Sequence, residues 1–176
     1  NFFFLKKKEN FFKKKFSKSE ILLENTAIGS VKKKVILNQF KESSSSTISE
    51  IDKNSSYFKK KFKFLNFFKN EEIFRTIKIE TENLKNYMDN NNINVIDFLK
   101  IDTEGYENEI LLGLDQNLKC VKLIMFEHHY DNMIKKNYSY RDIKNLLKQS
   151  NFKMIFKAKM PLRKTFEYIF INTSGL

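Results

Sequence analysis

The chain has 176 residues, 41% of them hydrophobic, and a formal net charge of +12. That length suits a single domain with a real core. It contains no apolar run of the about 18 residues that a membrane helix needs, so no spanning segment is expected. The opening "FFFLKKKENFFKKKF" has its lysines inside and behind the apolar residues, the wrong order for a signal peptide. A lone cysteine, Cys120, excludes an internal disulfide and a Cys-cluster zinc site. Its setting, "LKCVKLIMF", reads as a buried strand with an inert thiol in a reducing cytoplasm. The positive charge raises nucleic acid as a partner, and "FKKKFKF" (58–64) interleaves aromatics and lysines as single-strand binders do. But Lys, Asn, Phe and Ile are favoured together, all with AT-rich codons, while Pro occurs once and Trp never. A GC-poor genome gives that composition without a selected basic patch, and nucleic acid is not the expected partner.

In chain order, residues 2–18 read as an amphipathic helix. Residues 21–30 read as a strand running into a loop at Asn25–Gly29, and residues 33–40 as a second strand. The Ser-rich stretch 41–56 is a surface loop that Ile48 and Ile51 can pin down. "IFRTIKIET" (73–81) alternates as a strand, after which Thr81 caps a helix to about Asn90 and "NNN" (90–92) turns. "INVIDFLKI" (93–101) is nearly continuous apolar sequence, the mark of a strand covered on both faces. Ile110, Leu111, Leu114 and Leu118 then follow helical spacing. "VKLIMFE" (121–127) is another buried strand. Ser139 caps a helix with Ile143, Leu146 and Leu147 on one face. "FKMIFKA" and "FEYIFIN" close the chain as two strands linked through Pro161. Strands alternating with helices predict βαβ units and an α/β fold with a mainly parallel sheet; the closing strand pair adds an antiparallel edge.

In open α/β sheets ligands bind outside the carboxyl ends of the strands. The strand ending at Ile101 therefore puts Asp102 and Glu104 on the binding rim, where Gly105 allows a tight turn. The strand from Val121 ends at Glu127, followed by His128 and His129. This cluster suits three chemistries: a divalent metal held by Asp102, Glu104 or Glu127; a general base, Asp102, Glu127 or His128, that takes a hydroxyl proton; or carboxylates that hydrogen-bond a polyol or a cofactor amine. Glu107 and Glu109 read as helix-start charge. Lys100, a charge inside an apolar strand, needs a partner, and Asp102 is the candidate. The chain has no Walker loop, no G-x-S-x-G, no H-E-x-x-H and no G-x-G-x-x-G, and its four glycines cannot build a glycine-rich phosphate loop.

"IDFLKIDTEGYENEILLGL" resembles the signature of the FkbM-family methyltransferases, in which a buried strand enters Lys-Ile-Asp-x-Glu-Gly-x-Glu and a helix ending in Leu-x-Gly. The matching positions are Lys100, Ile101, Asp102, Glu104, Gly105, Glu107, Leu112 and Gly113. "NTAIGS" (25–30), "SSSSTIS", "IKIETENL", "LIMFEHH" and the closing strands resemble the flanking family segments, so the likeness runs from about Ile21 onward. It implies a Rossmann-like class I methyltransferase sheet that uses S-adenosylmethionine on the oxygen of a sugar or other hydroxylated small molecule. Asp102, Glu104, Glu127, Lys100 and His128 are then the catalytic candidates, and Asn25, Ala27, Ile28 and Asp102 the cofactor-binding ones. No metal ligand set is assigned. The family's glycine-rich first loop and its ribose-holding acid precede the matched segments, and Thr-Leu-Asp is replaced by Thr81-Glu82-Asn83. The expectation is a single partial domain, incomplete at the N-terminus, with a basic nucleic-acid binder or an inactive remnant as alternatives.

Overall fold

The computed structural model describes residues 2–16, 18–40, 46–60, 74–161 and 163–175. Its elements are α1 (Phe2–Lys15), β1 (Ala27–Gly29), β2 (Lys33–Phe40), β3 (Glu50–Ile51), a helical stretch over 56–60 (α2), β4 (Phe74–Asn83), α3 (Leu84–Asn90), β5 (Ile96–Ile101), α4 (Glu107–Leu112), a 3-10 helix (Asp115–Cys120), β6 (Val121–His129), β7 (Ile134–Lys135), α5 (Tyr140–Gln149), β8 (Phe152–Lys159) and β9 (Thr165–Asn172).

Three sheets form, in the orders β1-β4-β2, β3-β7 and β5-β6-β9-β8. Among the described residues, β1 with β4 and β5 with β6 are parallel, and the other strand pairs are antiparallel. The chain is thus α/β with mixed, small sheets rather than one mainly parallel sheet. The expected antiparallel edge is present: β9 lies between β6 and β8 and runs against both.

The main core joins Ile101, Ile110, Leu111, Leu114, Leu118, Ile124, Phe126, Ile143, Leu147, Tyr168 and Phe170. A smaller one gathers Phe40, Phe58, Met133 and Ile134. All four leucine and isoleucine positions read as helical after Tyr106 are buried, but α4 stops at Leu112 and a 3-10 turn carries Leu118. Gly113 explains the stop. A Cβ there would lie 2.3 Å from the Gly29 carbonyl oxygen, so α4 ends where its backbone meets β1 directly. Ser139 and Asp142 form a reciprocal capping box that starts α5, as the spacing predicts.

Four expectations need correction. Residues 21–26 form no strand, and pairing begins at Ala27, within the stretch read as a loop; Glu24, Asn25 and Thr26 break the apolar pattern, and β1 needs three residues to meet Thr81–Asn83. Thr81 does not cap α3. It is buried in β4, where its hydroxyl donates to the Val31 carbonyl, and the cap is Asn83, whose side chain accepts from the Asn86 N–H. The strand read as 93–101 is β5, from Ile96, and only part of it is covered: Phe98 is 51% exposed and Lys100 is exposed. It pairs only with β6 among the described residues, so this largely apolar run has positions left uncovered. Finally, "FKKKFKF" is helical over 58–60, with Phe58 buried; its remainder, like residues 41–45 and Ile73, lies outside the described residues.

Lateral pairing sorts the β5-β6-β9-β8 sheet into two faces. Ile124, Phe126, Tyr168 and Phe170 face the covered side, against α4 and α5. Phe98, Lys100, Met125, Glu127, Glu167, Ile169 and Phe156 share the other.

Candidate functional site

β5 ends at Ile101 and the chain turns sharply. Glu104 takes φ 51° and Gly105 φ 97°. A left-handed angle costs a residue with a side chain about 1–2 kcal/mol, so this loop exists only because its surroundings hold it. The Thr47 hydroxyl donates to the Glu104 carbonyl at 2.7 Å, and the Ser49 hydroxyl to the Gly105 carbonyl at 2.7 Å. The Gly105 N–H donates to Glu107 at 2.7 Å, and the Tyr138 hydroxyl donates to the same carboxylate. A Cβ on Gly105 would meet the Ile134 side chain at 2.5 Å. Only glycine satisfies both the angle and the clearance.

The turn divides the signature acids. Asp102 stays half exposed, 3.6 Å from the Lys100 ammonium, its expected partner. Glu104 is buried and turns toward His129, with 3.2 Å between Oε2 and Nε2. Glu107 is fully buried and serves as the acceptor that closes the loop, so it is not a solvated helix-start charge. Glu109 accepts from Ser30 at 2.5 Å and sits 3.7 Å from Lys33.

Glu127 lies on the open face of the sheet. Burial pushes its carboxyl above the usual range, and the negative charges of Asp102 and Glu167 add to this, outweighing the opposing pull of His129 and Lys100. His128 points to the opposite face. It packs among Tyr130, Tyr138 and Tyr140, with ring centroids 4.8, 5.9 and 6.0 Å away. Burial there, with help from the Lys136 and His129 charges, pushes its pKa down to about 4, so it is neutral at physiological pH. The sequence grouped Glu127 and His128 with Asp102; the alternation of β6 separates them, and Glu127 alone stays within electrostatic reach of Asp102.

Between β1 and β5 runs a groove of about 1270 Å³. Asn25, Ala27 and Ile28 line one side; Leu99, Lys100, Ile101 and Asp102 line the other. The four residues selected as cofactor-binding therefore share one cavity, although more than 70 positions separate Asp102 from the rest. Tyr106 also lines it, and its buried hydroxyl has no hydrogen-bond partner among the described residues. Thr47, Ile48 and Leu84 also line it, as do Leu37 of β2 and Ile79 and Glu80 of β4. Thr47, Ser49 and Tyr106 carry this architecture without having been singled out by sequence reasoning, and His129, read only as a neighbour of the rim acids, carries it with them. The alternation Thr-Ile-Ser at 47–49, with Ile48 packed on the core, was the available signal for the first two.

No cluster of His, Cys, Asp and Glu suited to a metal ion occurs among the described residues, and no helix there is long and apolar enough to cross a membrane. No curated protein and no solved structure matches the chain significantly. Residues 4–154, which include the groove, the signature loop and both of its flanking strands, match the methyltransferase FkbM domain. The chain belongs to the FkbM methyltransferase family.

Proposed function

We propose that the groove between β1 and β5 holds S-adenosylmethionine and that the adjoining open sheet face receives a hydroxylated small molecule, a sugar or similar compound, for methylation on oxygen. The observation that carries this reading is the convergence of Asn25, Ala27, Ile28 and Asp102 on one cavity. The residues fit the group. Apolar walls from Ile28, Leu99 and Ile101 suit an adenine ring, and the orphaned Tyr106 hydroxyl offers a polar contact. Asp102 offers a carboxylate to a cationic centre. When bound, the cofactor supplies an activated methyl group on a sulfonium. Lys100 holds Asp102 by charge across 3.6 Å. Glu127, with its raised pKa and its position beside Asp102, accepts the proton of the acceptor hydroxyl. His128, turned into the tyrosines, orders the wall behind Glu127 rather than meeting the acceptor.

The same reading makes this a Rossmann-like methyltransferase domain in the cytoplasm.

Asp102→Ala in the full-length enzyme is expected to lower methyl transfer at least about 100-fold while leaving the circular dichroism and the unfolding midpoint unchanged. Turnover of the variant at the wild-type rate would sink the role of Asp102.

A further inference from the structure

Away from the groove, a second group of ionisable side chains is packed out of water at the end of β6. His129, Glu104, Asp131 and Glu107 are all buried. The His129 ring meets Glu104 of the signature loop at 3.2 Å through Nε2, and Asp131 at 3.6 Å through Nδ1. From β9 the Thr165 hydroxyl lies 3.1 Å from Nδ1. The Lys136 ammonium donates to the His129 carbonyl. Glu127 and His128 on its own strand, and Glu107 at the start of α4, act on it through space. Tyr57 feels the Asp131 and Glu104 charges from the far side.

The charge balance decides the state of the ring. Glu104, Glu107 and Asp131 all act on the ring by charge, and the Lys136 ammonium and the Arg163 guanidinium lie in the same surroundings, in a largely dehydrated site. Among the described residues Nε2 makes no hydrogen bond and Nδ1 shares one with the Thr165 hydroxyl, so a protonated ring acts on the flanking carboxylates by its charge. Burial opposes the charge, but the contact with Asp131 and the Glu104, Asp131 and Glu107 charges outweigh it and hold the pKa above its ordinary value.

We propose that His129, as an imidazolium clamped between Glu104 and Asp131, is the positioning residue that fixes the 102–105 loop and with it the direction of Asp102. Thr47 and Ser49 hold the loop by its carbonyls. The Glu104 side chain ties it to β6 through His129, at a residue whose backbone is already strained. Loss of the proton removes the charge that both carboxylates face. Because the folded pKa is raised, the clamp is complete below the ordinary histidine value of about 6.5 and is lost as pH rises through the folded value. The clamp stands whether or not the groove carries out methyl transfer.

The chain contains two histidines, so proton NMR resolves both rings, and a His128→Asn variant assigns them. His129 is expected to titrate above about 6.5, and the Gly105 amide signal to shift with the same midpoint. Glu104→Gln and Asp131→Asn should each lower that midpoint by about one pH unit or more. His129→Arg, a permanent cation, should leave the Gly105 signal flat over the same range. Titration of wild-type His129 at or below about 6.5, or a Gly105 amide that ignores it, overturns the proposal. Both readings come from the unaltered chain and need no cofactor, so they are independent of the methyl-transfer assay on Asp102.

Discussion

Gly105 carries more of the site than any carboxylate in the signature. Its φ of 97° and its contact with Ile134 each exclude a side chain. Gly105→Ala is expected to cost roughly 2–4 kcal/mol, strain and overpacking together, read as a lower denaturant midpoint with an unchanged slope. A midpoint equal to wild type would show that the loop relaxes at no cost. The residue scale is also where sequence and structure part most. The residue types at the site were legible, as were the Lys100–Asp102 pairing and the glycine requirement. The directions of Glu104 and Glu107 were not. Both follow from a left-handed turn at Glu104, a non-glycine residue that nothing in the sequence marks as taking that angle. His129 was legible as a neighbour of acids, but its bracketing by Glu104 and Asp131 depends on two loops meeting in space.

At the scale of elements, local signals worked where the element carries its own instructions. α5 has a capping box, apolar residues at helical spacing and a buried face of Ile143 and Leu147. The Ser139 side chain and the Asp142 carboxylate satisfy each other's backbone groups, so Ser139→Ala is expected to destabilise the fold by about 1 kcal/mol. Chemical denaturation measures this directly, and no loss would mean that tertiary packing alone starts the helix. β5 shows the opposite case. Its apolar run predicts cover on both faces, but cover comes from other elements, and composition does not say which of them are present. β1 is shorter still, and its three residues are a strand only because β4 passes alongside. The α3 cap moved from Thr81 to Asn83 because the strand continues two residues further than its alternation indicates.

On the scale of the whole molecule, the sheet presents one packed face and one open face. Phe98, Phe156 and Ile171 are 51%, 47% and 37% exposed on the open side, in register with Leu123, Met125 and Ile169. An apolar surface of this kind binds hydrophobic dyes. The described chain should enhance the fluorescence of such a dye, and Phe98→Lys with Phe156→Lys should remove most of that enhancement without unfolding the protein. Equal dye binding by the double variant would place the apolar surface elsewhere. The net charge of +12 gives no comparable landmark, because ion pairs such as Lys122 with Asp97 and Lys135 with Glu50 spread it across separate elements.

The contact between Gly113 and Gly29 has a consequence for how such a site can diversify. Residues of β1 line the groove together with β2 and β4, and residues of β5, which leads into α4, line it too. The end of α4 meets β1 where a glycine backbone rests against a glycine carbonyl, with no side chain between. The spacing there works as a gauge. One added methyl at position 113 would wedge the two apart and leave every lining residue unchanged. The size of the groove is thus open to change from position 113, which does not line it.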